Sequence, residues 1–256
     1  MSSPAALPSL PPQLDLTGSI ARLTLHRPEA ANRLSLADLA VLEAHLEAVE
    51  QAASIRVLVL RAVGRSFCAG FDLRELSGQN DPGARFEAVA DRLENLRQIT
   101  VCCLEGGVYG GGTDLALACD FRIGSPACEM FVPAVRLGLH YYGGAMQRCV
   151  QRLGLQAAKR LLLAAEPFSA AEMLACGFLT ELSDAPAILC EALSERLAGF
   201  APLALLPMKQ HLNALARHRL DSQQLAADIA QSLQSEDLAE GADAWKAQRT
   251  PGFQGR

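Results

Sequence analysis

The run Gly110-Gly111-Gly112-Thr113-Asp114-Leu115-Ala116-Leu117-Ala118-Cys119-Asp120 sets a main-chain anion site beside an acid. Three glycines leave backbone N–H groups unobstructed. The apolar periodicity after Thr113 predicts a helix whose first turn directs its free amides at a bound negative oxygen. Asp114 lies a few positions along, within reach of a proton on whatever settles there. Standing alone, a Gly-Gly-Gly triplet reads first as a tight turn feeding a buried helix. A second motif shifts that balance.

Gly64-Arg65-Ser66-Phe67-Cys68-Ala69-Gly70-Phe71-Asp72-Leu73-Arg74-Glu75-Leu76 directly follows the apolar stretch Val57-Leu58-Val59-Leu60. Its small residues Cys68, Ala69 and Gly70 let a ligand lie against the backbone, and a helix expected to start near Asp72 adds further amides. Two such turns, each after a strand of one sheet, can supply one N–H apiece to a shared oxygen.

The elements that must position these turns are strands alternating with helices. Strands are predicted at Arg22–Leu25, Ile55–Arg61, Val101–Leu104, Phe121–Ile123 and Glu129–Val132, the second apolar on both faces as for a strand covered on either side. Ser35-Leu36-Ala37-Asp38 has capping-box spacing and opens a helix with its stripe at Leu36, Leu39, Leu42, Leu46 and Val49. A second helix is predicted over Arg85–Gln98, after the turn-prone Ser77–Gly83 loop. From Met146 onward helices follow one another: Ser169-Ala170-Ala171-Glu172 is a second capping box, Pro202 suits a first turn, and a last helix spans about Glu236 to Arg249. The pattern predicts an α/β core with a C-terminal helical region.

A 256-residue chain that is 50% hydrophobic buries a substantial core. The net charge of −5 and the dispersed arginines leave no basic stripe for a phosphate backbone, so nucleic acid is not an expected partner. The eight cysteines show no C-x-x-C spacing and sit mostly in apolar runs, so free thiols of a reduced cytoplasmic protein are expected, without a metal site. Residues 1–12 lack Arg and Lys and any continuous apolar segment, so no secretory signal or mitochondrial presequence is expected there, only a flexible N-terminal segment. No apolar run reaches membrane-spanning length.

The two glycine motifs, about forty residues apart, strongly resemble those of the crotonase (enoyl-CoA hydratase/isomerase) superfamily. Leu23-Thr24-Leu25-His26-Arg27-Pro28-Glu29-Ala30-Ala31-Asn32 looks like the family's opening strand and turn. Ser235–Gly241 with Lys246–Gly255 looks like its closing helix. The resemblance covers roughly residues 15–256. It implies a ββα spiral core over residues 13–195 and a trimerisation region over 196–256, assembled as a homotrimer or a dimer of trimers. The substrate implied is an acyl-CoA thioester, with coenzyme A part of that substrate and no prosthetic group. By position, the N–H groups of Phe71 and Gly111 form the oxyanion hole. Ala69, Gly70 and Leu73 line the adenine pocket, and Arg74 approaches the CoA phosphates. Arg27 follows the opening strand near the CoA. Lys209 and Phe253 occupy positions that border the CoA nucleotide in relatives; a solvent-exposed helix lysine and ordinary packing are the alternatives.

Such a hole stabilises an enolate, which opens α-proton removal, addition to an α,β double bond, or decarboxylation. Hydratases of the family carry two glutamates for this work. The first position here is Asp114, one methylene shorter. The second is Ala134, in Phe131-Val132-Pro133-Ala134-Val135, and alanine moves no proton. His140, Tyr141 and Tyr142 stand where relatives place a glycine-rich turn. His140 has the intrinsic pKa for acid–base work or is a structural histidine, and the tyrosines either donate to substrate or pack the acyl pocket. Asp72 and Asp120 read as caps or sheet-end partners. Enoyl-CoA hydratase-like activity is the leading expectation. Isomerase, decarboxylase, thioester hydrolase and a weakened acyl-CoA-binding member are the alternatives.

Overall fold

A computed structural model describes residues 9–75 and 82–256. Positions 77–81 of the predicted Ser77–Gly83 loop and most of the N-terminal segment lie outside the described residues, while Pro82 and Gly83 belong to a helix rather than to the loop. Near the N-terminus Leu10 N donates to His26 O and His45 Nε2 donates to Pro12 O.

In chain order the strands are β1 (Gln13–Thr17), β2 (Ile20–Leu25), β3 (Val57–Ala62), β4 (Ser66–Cys68), β5 (Ile99–Leu104), β6 (Gly107–Tyr109), β7 (Phe121–Gly124), β8 (Glu129–Phe131), β9 (Phe168–Ser169) and β10 (Glu181–Leu182). The helices are α1 (Leu36–Gln51), α2 (Pro82–Asn95), α3 (Gly111–Leu117), α4 (Gly143–Leu153), α5 (Leu155–Leu162), α6 (Ala170–Ala175), α7 (Pro186–Ala198), α8 (Pro202–Ala216), α9 (Ser222–Leu233) and α10 (Glu236–Ala247). Both predicted capping boxes form, Ser35 with Asp38 and Ser169 with Glu172. No described helix is long and apolar enough to cross a membrane.

Among the described residues the strands form two sheets, one of six in the order β1-β2-β3-β5-β7-β10 and one of four in the order β4-β6-β8-β9. Successive repeats β3-β4-α2, β5-β6-α3 and β7-β8-α4 each give one strand to the large sheet, one to the small sheet and then a helix, which is a ββα spiral. The interior pairings are parallel, with Val57 opposite Ile99 in the large sheet and Val108 opposite Met130 in the small one.

The strand alternation builds two cores. Leu58, Leu60, Cys102 and Leu104 face one side of the large sheet and join Leu39, Leu42, Phe67, Phe86 and Leu115. Val57, Val59, Ile99, Val101 and Cys103 face the other and meet Cys190, Leu197 and Leu206 from α7 and α8. A strand buried on both faces has no polar alternation, which is why Val57–Leu60 reads as a continuous apolar run.

One consequence positions the site. Because β4, β6 and β8 are neighbours and parallel, their C-terminal ends share one edge of the small sheet. The turns that leave them, at Ala69–Asp72, Gly110–Gly111 and Pro133–Tyr142, are therefore brought together from three distant stretches of chain.

Candidate active site

The first turn is held from behind by residues 31–34. Ala69 N donates to Ala31 O, Leu34 N to Gly70 O, and Asp72 N to Leu34 O, a parallel bridge that pairs Leu34 with Phe71. Successive amides of an extended segment point to opposite sides, so the bridge uses the amide of Asp72 and leaves that of Phe71 facing away. Phe71 N–H donates to no acceptor among the described residues. The helix expected near Asp72 is instead a single 3-10 turn, Leu73–Glu75, because Asp72 turns back to accept from Arg74 N and its guanidinium.

The second turn places Gly110 at φ +51, with its N–H on Phe131 O. Gly111 is the first residue of α3 and so has no intrahelical acceptor; it too donates to nothing among the described residues. Gly70, at φ +81, joins the two turns. A Cβ there would lie 2.6 Å from Gly111 N and 3.1 Å from Tyr109 O, so only glycine permits this approach. Two amides on abutting turns, neither with an acceptor among the described residues, can donate to one shared oxygen.

Both open on a cavity of about 280 Å³. Ala69, Phe71 and Leu73 line it from the first turn, Gly110 and Gly111 from the second, and Pro133, Ala134, Leu137, Leu139, His140, Tyr141 and Tyr142 from the third, with Phe86 reaching in from α2. Tyr141 and Tyr142 stack with centroids 5.3 Å apart and planes 11° apart. The wall where a glutamate was expected is the methyl of Ala134, buried in a 3-10 turn.

Asp114 does not line this cavity. It is 0% exposed, and a bidentate ion pair with Arg148 holds it, Nε to Oδ1 at 2.6 Å and Nη2 to Oδ2 at 2.8 Å. Tyr142 Oη adds a 2.6 Å hydrogen bond to Oδ2. Asp114, expected beside the bound group, is thus joined by hydrogen bond to a side chain that lines the cavity and is not itself in the lining. Arg148 also donates to Asp91 and Glu94, so one guanidinium serves three carboxylates. Burial pulls the Arg148 pKa down, but the three carboxylates outweigh it and the net shift is upward. Burial, with the Asp114 charge beside it, pushes the Tyr142 hydroxyl well above the ordinary tyrosine range.

Tyr141 Oη donates to Gly110 O at 2.8 Å and braces the second turn, while burial raises its pKa as well. His140 is exposed at the cavity mouth, its Nδ1–H on Tyr141 O at 2.7 Å. Tyr142's link to Asp114 was invisible in the sequence, where 28 residues separate the two.

The residues assigned to coenzyme A divide. Ala69 and Leu73 line the cavity, while Gly70 is not in the lining and packs against Gly111, which is. Arg74 is largely exposed beside them, paired with Asp72, which Arg33 also contacts. Arg27 is turned away onto Asp38 of the α1 capping box, with Nε and Nη2 both engaged. Lys209 is neither exposed nor at the cavity: it is buried, with Nζ 2.6 Å from Gln98 O and 2.8 Å from Asp120 Oδ2, tying α8 to the sheet. Asp120 is a sheet-end partner as expected, accepting from Thr100 N and Oγ1. The Phe253 ring neighbours Gly241 of α10 and its carbonyl accepts from Arg56, a packing role within this chain. All eight cysteines are free thiols, seven of them buried.

Comparison with known proteins agrees with this architecture. The family model described as enoyl-CoA hydratase/isomerase matches residues 15–256. The chain is 32% identical to an enoyl-CoA isomerase/hydratase of Mycosarcoma maydis, over 94% of each protein. It is also 32% identical to the 2,3-dehydroadipyl-CoA hydratase of Escherichia coli, over 91% of this chain and 94% of that protein. A crystal structure of enoyl-CoA hydratase from Bacillus anthracis superposes with a TM-score of 0.85 at 28% identity, covering 96% of this chain and 100% of the other. With the glycine turns, the spiral and these matches in agreement, the chain belongs to the enoyl-CoA hydratase/isomerase family.

Proposed function

We propose that this protein binds an acyl-CoA thioester, holds the carbonyl oxygen on the N–H groups of Phe71 and Gly111, and stabilises the resulting enolate, with enoyl-CoA hydration as the leading reaction. The observation that carries this is the pair of amides on abutting turns at one apolar cavity, neither of which has an acceptor among the described residues. Charge that develops on the thioester oxygen then meets preset donors, and removing one such donor typically costs about a hundred- to a thousandfold in rate. Ala69 and Leu73 offer an apolar edge for the adenine, and Arg74 with Arg33 offers positive charge for the phosphates.

Ala134 favours a second reading. With no carboxylate on that wall, a simple double-bond isomerase is disfavoured along with two-carboxylate hydration, and the same hole suits decarboxylation, thioester hydrolysis or binding without efficient turnover. Turnover of a panel of enoyl-CoA, β-hydroxyacyl-CoA and malonyl-type CoA thioesters separates the readings. Hydration of crotonyl-CoA supports the first. Hydration that arises only in Ala134→Glu supports the second, and binding of crotonyl-CoA with no turnover of any thioester ends the enzyme reading.

A homotrimer, or a dimer of trimers, formed through residues 196–256 completes the proposal. Met208, Leu212 and Leu215 of α8, Ile229 and Leu233 of α9 and Trp245 of α10 are exposed apolar side chains of the kind that subunit contacts cover. Light scattering of the native chain and of Leu212→Glu tests this: a native monomer ends it. The eight free thiols support a cytoplasmic location.

A further inference from the structure

Asp114 is hydrogen-bonded to a side chain that lines the cavity. Tyr142 lines the cavity, and its hydroxyl donates at 2.6 Å to a carboxylate that is 0% exposed. Two other lining side chains carry a transferable proton, and both differ from Tyr142 in their attachments. The Tyr141 hydroxyl is directed at Gly110 O, and His140 sits exposed at the mouth with its Nδ1–H on a backbone carbonyl. Among the described lining residues, Tyr142 alone is hydrogen-bonded to a buried carboxylate.

We propose that Tyr142 is the catalytic proton carrier of this site, with Asp114 as the positioning residue that accepts and returns its proton. This rests on the hydration reading above. As the oxygen of a water molecule bonds to the β-carbon, one of its protons passes to Tyr142 Oη and the Tyr142 proton passes to Asp114 Oδ2. The double-bond electrons move onto the thioester oxygen, held by Phe71 and Gly111. When the enolate collapses, the α-carbon takes a proton from Tyr142 and Asp114 returns its own to Tyr142. The sum is one water added across the double bond, with both residues restored and no further reactant required.

Two features fit a relay. Burial disfavours a free phenolate, so the proton entering and the proton leaving Tyr142 must move together, and the short bond to Asp114 provides that path. Arg148 is shared with Asp91 and Glu94, so it keeps two anionic partners while Asp114 carries the proton.

The test is crotonyl-CoA hydration by the native protein, Tyr142→Phe and Asp114→Asn. Tyr142→Phe keeps the ring and its stacking on Tyr141, so the fold is retained. The relay predicts a fall in kcat of about 10²- to 10⁴-fold with KM little changed. It also predicts loss of the native solvent-deuterium effect on kcat, and a double variant no slower than the slower single one, as for residues that act as a unit. Native kcat in Tyr142→Phe overturns the relay and leaves hydration standing. Absence of hydration in the native protein overturns the hydration reading itself.

Discussion

Tyr142 Oη lies 2.6 Å from Asp114 Oδ2. Asp114, which does not line the cavity, is thus hydrogen-bonded to a phenol that does. Arg148 closes the other side of Asp114, and its own environment is the first point to probe.

Arg148→Met leaves Asp114 buried with a single remaining donor and strips Glu94 and Asp91 of a shared cation. Breaking a buried pair by removing one partner costs about 3–5 kcal/mol. Urea unfolding monitored by circular dichroism is expected to show a loss of that size. An unchanged midpoint would mean that the network does not stabilise the fold.

Gly70→Ala is expected to disable the hole without touching any side-chain chemistry. The new Cβ would approach Gly111 N to 2.6 Å, on a backbone at φ +81 that alanine resists. Gly111→Ala drives a Cβ to 2.7 Å from the Phe86 ring. Turnover should fall roughly a hundredfold or more in each. Retention of native kcat in both would remove the two amides from the mechanism.

Asp72 secures the turn that carries the Phe71 amide, and its carboxyl is held down to about 2. The Arg74 hydrogen bond is the main cause and Arg33 adds to it, against a smaller upward push from burial. An unfolded aspartate titrates near about 3.9. A depressed folded pKa contributes stability that is complete above about pH 4 and disappears as pH falls toward about 2. Asp72→Asn should therefore be less stable than the native chain at pH 6, with the gap closing between about pH 4 and 2. A pH-independent gap in urea midpoints would exclude this origin.

Lys209→Met separates a structural lysine from a coenzyme A contact. Nζ holds Gln98 O and Asp120 Oδ2, and Asp120 keeps Thr100 as a partner when it goes. Stability is expected to fall by roughly 1–3 kcal/mol, with KM for crotonyl-CoA unchanged. A raised KM at native stability would return Lys209 to the substrate site.

Local signals made much of the fold legible. Ser35-Leu36-Ala37-Asp38 and Ser169-Ala170-Ala171-Glu172 cap helices because their side chains satisfy amides three residues away, a relationship contained in a four-residue window. The five predicted strands all exist. The small-sheet strands β4 and β6 were missed because three residues carry too little periodicity, and they form only when neighbours supply the missing hydrogen bonds.

The sequence by itself determined the two glycine turns and the alanine at position 134, because each is a matter of residue identity at a position in a motif; the ββα spiral is implied by the family resemblance those motifs carry. Tertiary structure alone decided the rest. The parallel pairing of β4, β6 and β8 put three turns at one edge, and packing gave Asp114 to Arg148 and Tyr142, Lys209 to Asp120, and Arg27 to Asp38. A charged side chain finds its partner by burial and distance in space, and spacing along the chain carries no record of either.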